Sequence, residues 1–317
     1  MNRRAWIAFA TLSLIWGIPY LFIKVAVDGG ISPFFLAWAR LVLGASLLFA
    51  IVPRQGLEML LRGPRRWILA YATAEMALPF PLIAAGERHV DSSVAAIVIA
   101  TVPLLIALLA LRFDHTERPS RKRMVGMLIG LGGVVALVGI DLSAEPSEIF
   151  GAAAVLLAAF GYAAGPMIIK RHLVGFDPRA TMAASLTVAA VLLTPAAFLT
   201  FPKSAPPGDA LASIAVLGIV CTATAFVILM VLVKEVGAGR ASIITYVNPV
   251  VAVTLGVIVL GESPGAGAIA GLLLILAGSW LSTDGRLPPG PRAIATRLGT
   301  RRPRTEPEAT LPVRITA

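Results

Sequence analysis

Charged residues are scarce in this sequence of 317 residues: Asp, Glu, Lys and Arg together make up 14%, against 57% hydrophobic residues. So few charges leave too little polar surface to cover a water-soluble globule of this length. The mean hydropathy of +0.86 agrees with that conclusion. The composition therefore predicts a protein that has lipid, rather than water, as its main solvent.

Cysteine and histidine are equally rare. Cys221 is the only cysteine, so no disulfide can form within the chain. The three histidines, His89, His115 and His172, fall in predicted loops or helix ends on both membrane sides, which argues against a shared metal site. The sequence also lacks a phosphate-binding GxxxxGKS or GxxxxGKT loop and any catalytic triad at recognisable spacing. We therefore expect no enzymatic activity, no cofactor, no metal and no ATP-driven pump in one chain.

Long apolar stretches fill the sequence almost from end to end. A hydrocarbon core of about 30 Å needs about 20 helical residues. Ten stretches meet or approach that length, at residues 5–27, 33–52, 66–86, 92–111, 124–140, 149–169, 179–201, 210–233, 241–260 and 265–283. A cleaved signal peptide is the alternative explanation for stretch 1, but its apolar run is long for one and nine more stretches follow. The sequence predicts an all-α membrane protein with ten transmembrane helices.

The basic residues lie almost entirely on one side of these stretches. If the N-terminus is cytoplasmic, 23 of the 27 Lys and Arg residues fall in the N-terminus, in alternate loops and in the C-terminal tail. The other four are Lys24, Arg40, Arg88 and Lys203. The positive-inside rule then predicts a multi-pass protein of the cell inner membrane with both termini in the cytoplasm. The same distribution explains the net charge of +10 without a nucleic-acid partner.

The second half of the sequence repeats the first. The segment WGIPYLFIK, which begins at Trp16, matches YAAGPMIIK, which begins at Tyr162, at an offset of 146 residues. Pro103 and Pro249 match at the same offset. Because each half holds five predicted helices, the two copies must cross the membrane in opposite directions. Inverted repeats of this kind are a recurrent basis of alternating-access transport.

Several motifs carry a family resemblance: Trp16-Gly17, the spacing from Pro33 to Arg40, ATVP ending at Pro103, YVNP ending at Pro249, LGE ending at Glu262, and glycine-rich stretches 5 and 10. On these motifs, residues 5–283 resemble the EamA-type branch of the drug/metabolite transporter superfamily, and are most similar to bacterial exporters of aromatic and other amino acids. The resemblance implies two inverted five-helix repeats around a central cavity and export of small metabolites.

The repeats are expected at residues 1–140 and 141–283, followed by a disordered basic cytoplasmic tail at 284–317, which is rich in Pro and Arg. Two positions depart from the family pattern. The first repeat reads DHTE, ending at Glu117, in place of LGE, and the second has Ser185 in place of the arginine of stretch 2.

Two ionisable residues fall deep inside predicted helices. Glu75 lies near the middle of stretch 3, where such a group usually faces the protein interior or a wet cavity. Three roles fit it: a protonated carboxyl bonded to the backbone or to Thr73, a contact for a substrate amine, or a proton-coupling site. Arg40 lies well inside stretch 2, where it either snorkels or pairs with a carbonyl near a helix end, or clamps a substrate carboxylate. Lys24, near a helix end, is expected to anchor the helix at the membrane surface.

Aromatic and polar side chains at mid-depth complete the predicted substrate site. They are Trp16, Tyr20, Trp38, Tyr71, Thr101, Tyr162, Tyr246 and Asn248, together with Arg40 and Glu75. Trp16 and Tyr162 occupy matching repeat positions, and Thr101 and Asn248 lie close to prolines that free backbone carbonyls. The alternative for each aromatic residue is ordinary packing. Recurring prolines in stretches 1, 4, 6 and 9 predict bends around the cavity, and the glycines of stretches 5 and 10 predict close packing on each other or on a partner.

Together these features predict a secondary transporter that exports small metabolites, most of all amino acids, from the cytoplasm by alternating access. A proton is a candidate coupling ion, and uncoupled flow fits the residues equally well. The alternatives are a carrier of nucleotide sugars or of hydrophobic or cationic drugs and, from another class, a membrane-embedded enzyme or scaffold. Whether the chain acts as a monomer or a homo-oligomer stays open.

Overall fold

A computed structural model describes residues 3–63, 65–113, 121–140, 145–236 and 244–282, and every regular element in them is helical. We number the apolar helices α1 to α10 after the stretches that predicted them. In the first half, α1 consists of Arg3–Gly17 and Pro19–Asp28, α2 is Pro33–Phe49, α3 consists of Arg65–Ala72, Thr73–Ala77 and Pro79–Gly86, α4 of Ser92–Ile99 and Val102–Phe113, and α5 is Arg121–Ile140.

In the second half, α6 is Pro146–Ile168 with a final turn at Ile169–Leu173, α7 is Pro178–Leu199, α8 consists of Gly208–Ala215, Val216–Thr224 and Ala225–Val236, α9 is Ile244–Leu260 and α10 is Ala266–Ser282. A short helix at Arg54–Leu61, here called the linker helix, joins α2 to α3. The predicted tail at 284–317 and the departure at Glu117 lie outside the described residues.

Six of these helices have the length and composition to cross a membrane: α1, α3, α4, α6, α7 and α8. The apolar parts of α2, α5, α9 and α10 are shorter, at 10–17 residues. Each apolar helix coincides with a predicted stretch, so the prediction of an all-α, multi-helix membrane protein is confirmed for the described part of the chain. Large apolar side chains remain exposed around the bundle, among them Leu199 at 88% and Ile258 at 74%, as lipid contact requires.

Proline breaks some helices and not others. α1 is interrupted before Pro19, α3 before Pro79, and α4 at Ala100 and Thr101, just ahead of Pro103. In contrast, α6 and α9 continue through their internal prolines. The breaks therefore do not recur at the matching positions of the two halves, although the prolines do. In α9, the side-chain amide of the residue before the proline donates to a backbone carbonyl one turn back, which supports the helix there.

Two π-helical segments, in contrast, do occupy matching positions. The offset of 146 residues carries Thr73–Ala77 of α3 onto residues 219–223, inside Val216–Thr224 of α8. A π-helical turn holds more backbone per turn than an α-helix and is frequent at functional sites. No residue type is specific to π-helical segments, so the sequence alone does not predict them.

α5 and α10 pack against each other along their length. A Cβ atom on Gly133 would lie 2.9 Å from the carbonyl oxygen of Gly271, and one on Gly278 would lie 2.6 Å from the Cα atom of Gly130. Side chains at these positions would thus prevent the backbones from approaching. The predicted role of the glycines, which is to bring two helices together, is confirmed here, and each helix is the other's partner.

The two ends of the bundle are held differently. At the end predicted to be cytoplasmic, the linker helix lies against the start of α7, and the rings of Trp67 and His172 stack with centroids 3.5 Å apart. At the opposite end, Lys24 Nζ donates to the Glu87 carbonyl oxygen at 2.8 Å, and Arg88 Nη2 donates to a carbonyl oxygen of the α1–α2 connection at 3.0 Å. We call this the closed end. Lys24 thus joins α1 to the α3–α4 connection, a contact that the expected role as a surface anchor does not include.

Candidate functional site

Arg40 lies in the interior of the bundle. Its residue is only 9% exposed, its Nε donates to Thr222 Oγ1 at 2.8 Å, and its Cζ lies 4.0 Å from the centroid of the Phe80 ring. Thr222 Oγ1 itself donates to the Leu217 carbonyl oxygen at 2.8 Å, so its lone pairs remain available to the arginine. The guanidinium is therefore directed from α2 towards α3 and α8, and not towards a helix end.

Close packing of α2 on α8 makes this position possible. A Cβ on Gly218 of α8 would lie 2.6 Å from Leu43 Cβ, and one on Gly44 of α2 would lie 2.7 Å from the methyl carbon of Thr222. The two glycines allow the helices to approach until Arg40 can reach Thr222. The π-helical turn of α8 contains both Gly218 and Thr222, so the local helix geometry presents the threonine hydroxyl to α2.

No acidic side chain of the described residues forms an ion pair with Arg40. Within the same residues, its Nη atoms donate no hydrogen bond. A buried cation without a counter-ion is costly, and in membrane proteins such groups face a cavity or a substrate. The free side of a guanidinium fork matches the two oxygens of a carboxylate. Arg40 is therefore suited to bind a small anionic group.

Four further predicted residues are linked to Arg40, two of them directly and two through Tyr162. Tyr20 of α1 and Tyr162 of α6 are within electrostatic range of its guanidinium, and Tyr162 also interacts with Glu75 of α3. Tyr71, which is 3% exposed, interacts with Glu75 in turn. Tyr162 packs against three of the hydrophobic clusters that form the core. The structure therefore brings together five of the ten predicted residues, contributed by α1, α2, α3 and α6.

Glu75 lies in the π-helical turn of α3, directly opposite Gly165 of α6. Its Oε2 atom is buried and has no hydrogen-bond partner in the described residues, although the residue as a whole is partly exposed. A Cβ on Gly165 would overlap that oxygen. The glycine thus leaves room for the carboxyl group, which is an available acceptor for an amine or a site for a proton.

The other five predicted residues make contacts of their own. Trp16 packs edge to face on the Phe226 ring, with the ring centroids 6.0 Å apart. With its amide nitrogen turned towards two carbonyl groups, Asn248 donates to Ile244 O at 2.8 Å and to Ser13 O at 3.2 Å. These contacts join α1 to α8 and α9. They place Trp16 and Asn248 in the packing between helices.

Thr101, Tyr246 and Trp38 likewise bond to other parts of the bundle. Thr101 Oγ1 donates to Val98 O at 2.6 Å across the break in α4, and Tyr246 donates from α9 to the Ser279 carbonyl oxygen of α10 at 3.0 Å. Trp38 Nε1 donates to Thr194 Oγ1 of α7 at 3.1 Å. None of these contacts involves the residues around Arg40.

Sequence reasoning missed three residues near this site. Thr222 had a weak signal, since it is a polar residue within an apolar stretch, but its contact with Arg40 spans 182 positions. Phe80 had none, because it is one of 13 phenylalanines in an apolar chain. Glu87 falls just beyond the end of stretch 3, where a carboxylate is expected in water, yet it is fully buried.

Comparisons with known proteins agree with this architecture. The model of the EamA-like transporter family matches residues 3–139 and 149–283. The uncharacterized transporter YoaV of Bacillus subtilis is 25% identical over 277 residues, which cover 86% of this chain and 94% of that protein. A probable amino-acid metabolite efflux pump of Salmonella typhimurium is 24% identical over 299 residues, covering 90% and 96%. A solved crystal structure covers 90% of this chain and 99% of its own with a TM-score of 0.65, at 20% identity, and supports the fold.

Proposed function

The chain belongs to the EamA-like transporter family, and from that premise we propose that it is a secondary transporter that exports small metabolites, most of all amino acids, from the cytoplasm by alternating access. The helices cross a lipid bilayer, and the substrate is a small molecule. The name of the Salmonella relative, an amino-acid metabolite efflux pump, supports the substrate class.

The proposed architecture is ten crossings in two inverted repeats, at residues 1–140 and 141–283, around a central cavity. The two separate matches of the family model support this division. The alternating positive charge of the loops supports inner-membrane insertion with both termini in the cytoplasm. The matching π-helical turns of α3 and α8 support a structural relation between the halves.

Arg40 and Glu75 define the proposed substrate chemistry. Arg40 binds the substrate carboxylate, and Glu75 accepts a hydrogen bond from the amine or holds a proton. Tyr162 interacts with both groups, and so with both the proposed anion site and the proposed cation site. A zwitterion such as an amino acid carries a negative and a positive charge on neighbouring groups. A cationic dye carries only a positive charge, which Arg40 repels. The observation that carries this proposal is that the Arg40 guanidinium has no ion pair, and no hydrogen bond from its Nη atoms, within the described residues.

Alternating access is supported by the way that α4 divides. Its first part, Ser92–Ile99, packs on both α9 and α6, and its second part, Val102–Phe113, packs on α6 and α10. The break at Thr101 is therefore where α4 largely leaves α9 while it stays packed on α6. The hydrogen bonds that join the connections at the closed end suit a state that is shut on that side.

Flux from proteoliposomes tests the proposal. The vesicles would be loaded with a panel of labelled amino acids, a nucleotide sugar or a cationic dye, and efflux compared with that from empty-membrane controls. We expect amino-acid efflux, and a loss of about tenfold or more in Arg40→Gln, because one charge-assisted contact contributes about 1.5–3 kcal/mol. Arg40→Lys should retain part of the flux.

Arg62→Gln is the matched control, because Arg62 is an exposed arginine beside the linker helix. It should transport at the wild-type rate. Absence of amino-acid efflux together with movement of the nucleotide sugar or the dye would reject the proposed substrate class in favour of that carrier.

A further inference from the structure

Among the described carboxyl groups of the closed end, Glu87 is the most thoroughly buried. The residue is 0% exposed, and neither Oε1 nor Oε2 has a hydrogen-bond partner in the described residues. It follows the last turn of α3, where Gly86 packs against Gly151 and Val155 of α6. That contact is tight enough that a Cβ on Gly86 would lie 2.8 Å from the Gly151 carbonyl oxygen. The α6 side of the site is therefore apolar and backbone-lined.

The charged groups that face Glu87 come from three other elements. They are Lys24 and Asp28 of α1, Arg40 of α2, and Glu262 of the α9–α10 connection. Lys24 Nζ donates to the Glu87 backbone carbonyl at 2.8 Å and forms an ion pair with Asp28 Oδ1 at 3.5 Å. Glu262 accepts from Ser92 N at 2.8 Å, from Ser93 N at 3.0 Å and from the Ser93 hydroxyl.

The charged and titratable residues that follow Glu87 in the α3–α4 connection also have interaction partners. The Arg88 guanidinium donates to Ile31 O at 3.0 Å, and the His89 ring packs edge to face on Phe150 at 5.7 Å. Asp91 interacts with Glu262 and Lys24, and burial raises the pKa of its carboxyl group. The described surroundings of Glu87 thus provide no donor to its carboxylate oxygens, although two cations lie within electrostatic range.

An ionised carboxylate that has neither water nor a hydrogen-bond donor is disfavoured, and the neutral acid is the form that such a site accommodates. Burial accordingly raises the pKa of the Glu87 carboxyl well above its usual range, and the positive charge of Lys24 opposes this only in part. A group with a raised pKa favours the buried arrangement at low pH and opposes it as pH rises. Separation of the connections would admit water and allow the carboxyl to ionise.

We propose that Glu87 is a proton-binding site that links closure of this end of the bundle to the uptake of one proton. As the end closes, the Glu87 carboxylate takes a proton from water, forming an O–H bond, and the neutral acid is buried under Lys24 and the α9–α10 connection. As the end opens, the carboxylic acid returns its proton to water. Of the proposed substrate contacts, Arg40 and Tyr20 lie within electrostatic range of Glu87, and the proton site itself does not depend on which metabolite is carried.

Distances across the closed end test the proposal without any substrate, so its failure is separable from failure of the transport assignment. Spin labels at His89→Cys and Ser204→Cys, both exposed loop positions, would be introduced in a Cys221→Ala background. Pulsed-EPR distance distributions would be recorded in liposomes between about pH 5 and pH 9. We expect a short distance at low pH and a growing long-distance population as pH rises.

Substitutions assign that change to Glu87. Glu87→Gln keeps the size and neutrality of the buried acid but cannot titrate, so it should hold the short distance across the whole pH range. Glu87→Asp should retain a pH-dependent change with a displaced midpoint, and it keeps the test valid if Glu87→Gln does not fold. Glu145→Gln, which removes an exposed carboxyl at the same end, should behave as wild type. A wild-type distance that is independent of pH, a change that persists in Glu87→Gln, or a change that Glu145→Gln abolishes would overturn the proposal.

Discussion

Buried polar side chains concentrate where two helices leave room for them. Glu75 occupies space that exists only because α6 has a glycine at position 165, and Arg40 reaches Thr222 only because Gly44 and Gly218 let α2 approach α8. In both cases a residue without a side chain creates the position of a charged one. The chemistry of the site therefore depends on residues that cannot themselves bind a substrate.

Substitution of Glu75 tests its role in transport. Glu75→Gln retains size and a hydrogen-bonding carbonyl but cannot carry a charge or release a proton. We expect it to impair efflux and to flatten the pH dependence of the rate, whereas Glu75→Asp should keep partial activity. Efflux measured across a pH series provides the comparison. A normal rate with an unchanged pH profile in Glu75→Gln would mean that the carboxyl has only a structural role.

Trp16 and Tyr162 occupy matching sequence positions, yet their surroundings predict different responses. Tyr162→Phe removes only the hydroxyl, which interacts electrostatically with Arg40 and Glu75, so transport should fall while the amount of folded protein stays constant. Trp16→Ala removes a ring packed on Phe226, so it should destabilise the protein by about 3 kcal/mol and lower abundance. Quantifying folded protein and initial efflux rate in parallel separates the two. Equal losses of abundance in both variants would contradict this division.

The site was only partly predictable from individual residues. A carboxyl at mid-helix is rare enough to identify Glu75, and an arginine inside a span identifies Arg40. Thr222 and Phe80 complete the surroundings of Arg40 through contacts between distant parts of the chain, which no local pattern encodes. Trp16 was paired with Tyr162 by repeat position, but the structure surrounds the two rings differently.

At the scale of helices, the α5–α10 pair offers a controlled comparison of glycines. Gly278→Ala would bring a methyl group to 2.5 Å from Gly126 O, so it should destabilise the protein by about 1–3 kcal/mol through overpacking. Gly132 lies in α5 with nothing within 4 Å of an added Cβ. Gly132→Ala should be neutral or stabilise by up to about 1 kcal/mol, because alanine favours helix. Thermal unfolding in one detergent would measure both.

The essential result of that comparison is that Gly278→Ala lowers the unfolding temperature and Gly132→Ala does not. If Gly278→Ala unfolds at the wild-type temperature, the two helices can separate without cost and the glycines are not needed for their packing. If Gly132→Ala is as harmful as Gly278→Ala, the effect arises from the loss of glycine in general and not from the contact.

Helix positions were predictable because apolar length is a strong signal, whereas helix irregularities were not. The linker helix, Arg54–Leu61, contains no long apolar run, so apolar length gives no sign of it. The π-helical turns depend on how neighbouring helices fit, as the contact between Glu75 and Gly165 illustrates. Prolines predict bends in α1, α4, α6 and α9. Breaks occur in α1 and α4, whereas α6 and α9 pass through their prolines because a helix can retain its course where other donors or neighbours support it.

For the whole molecule, the proposed mechanism depends on where each polar group lies along the bundle. Arg40 and Glu75 are at mid-depth, Glu87 and Lys24 are at the closed end, and the linker helix with its arginines is at the other. In export, a substrate would reach Arg40 from the cytoplasmic side and would leave on the other side only after the closed end separates. In the proposed export cycle, the substrate therefore binds near the middle of the bundle, whereas opening and closing occur at its end.

The orientation of the whole chain gives the last prediction. Because 23 of 27 basic residues lie on alternate connections and in the tail, a reporter fused after Thr283 should be active only in the cytoplasm. A reporter inserted near Arg121, at the start of α5, should behave in the same way, and one near Glu145, at the start of α6, should report the periplasm. The closed end would then face outwards, as export requires of a cytoplasm-open state. Periplasmic activity after Thr283 would imply an odd number of crossings and would remove the inverted relation between the halves.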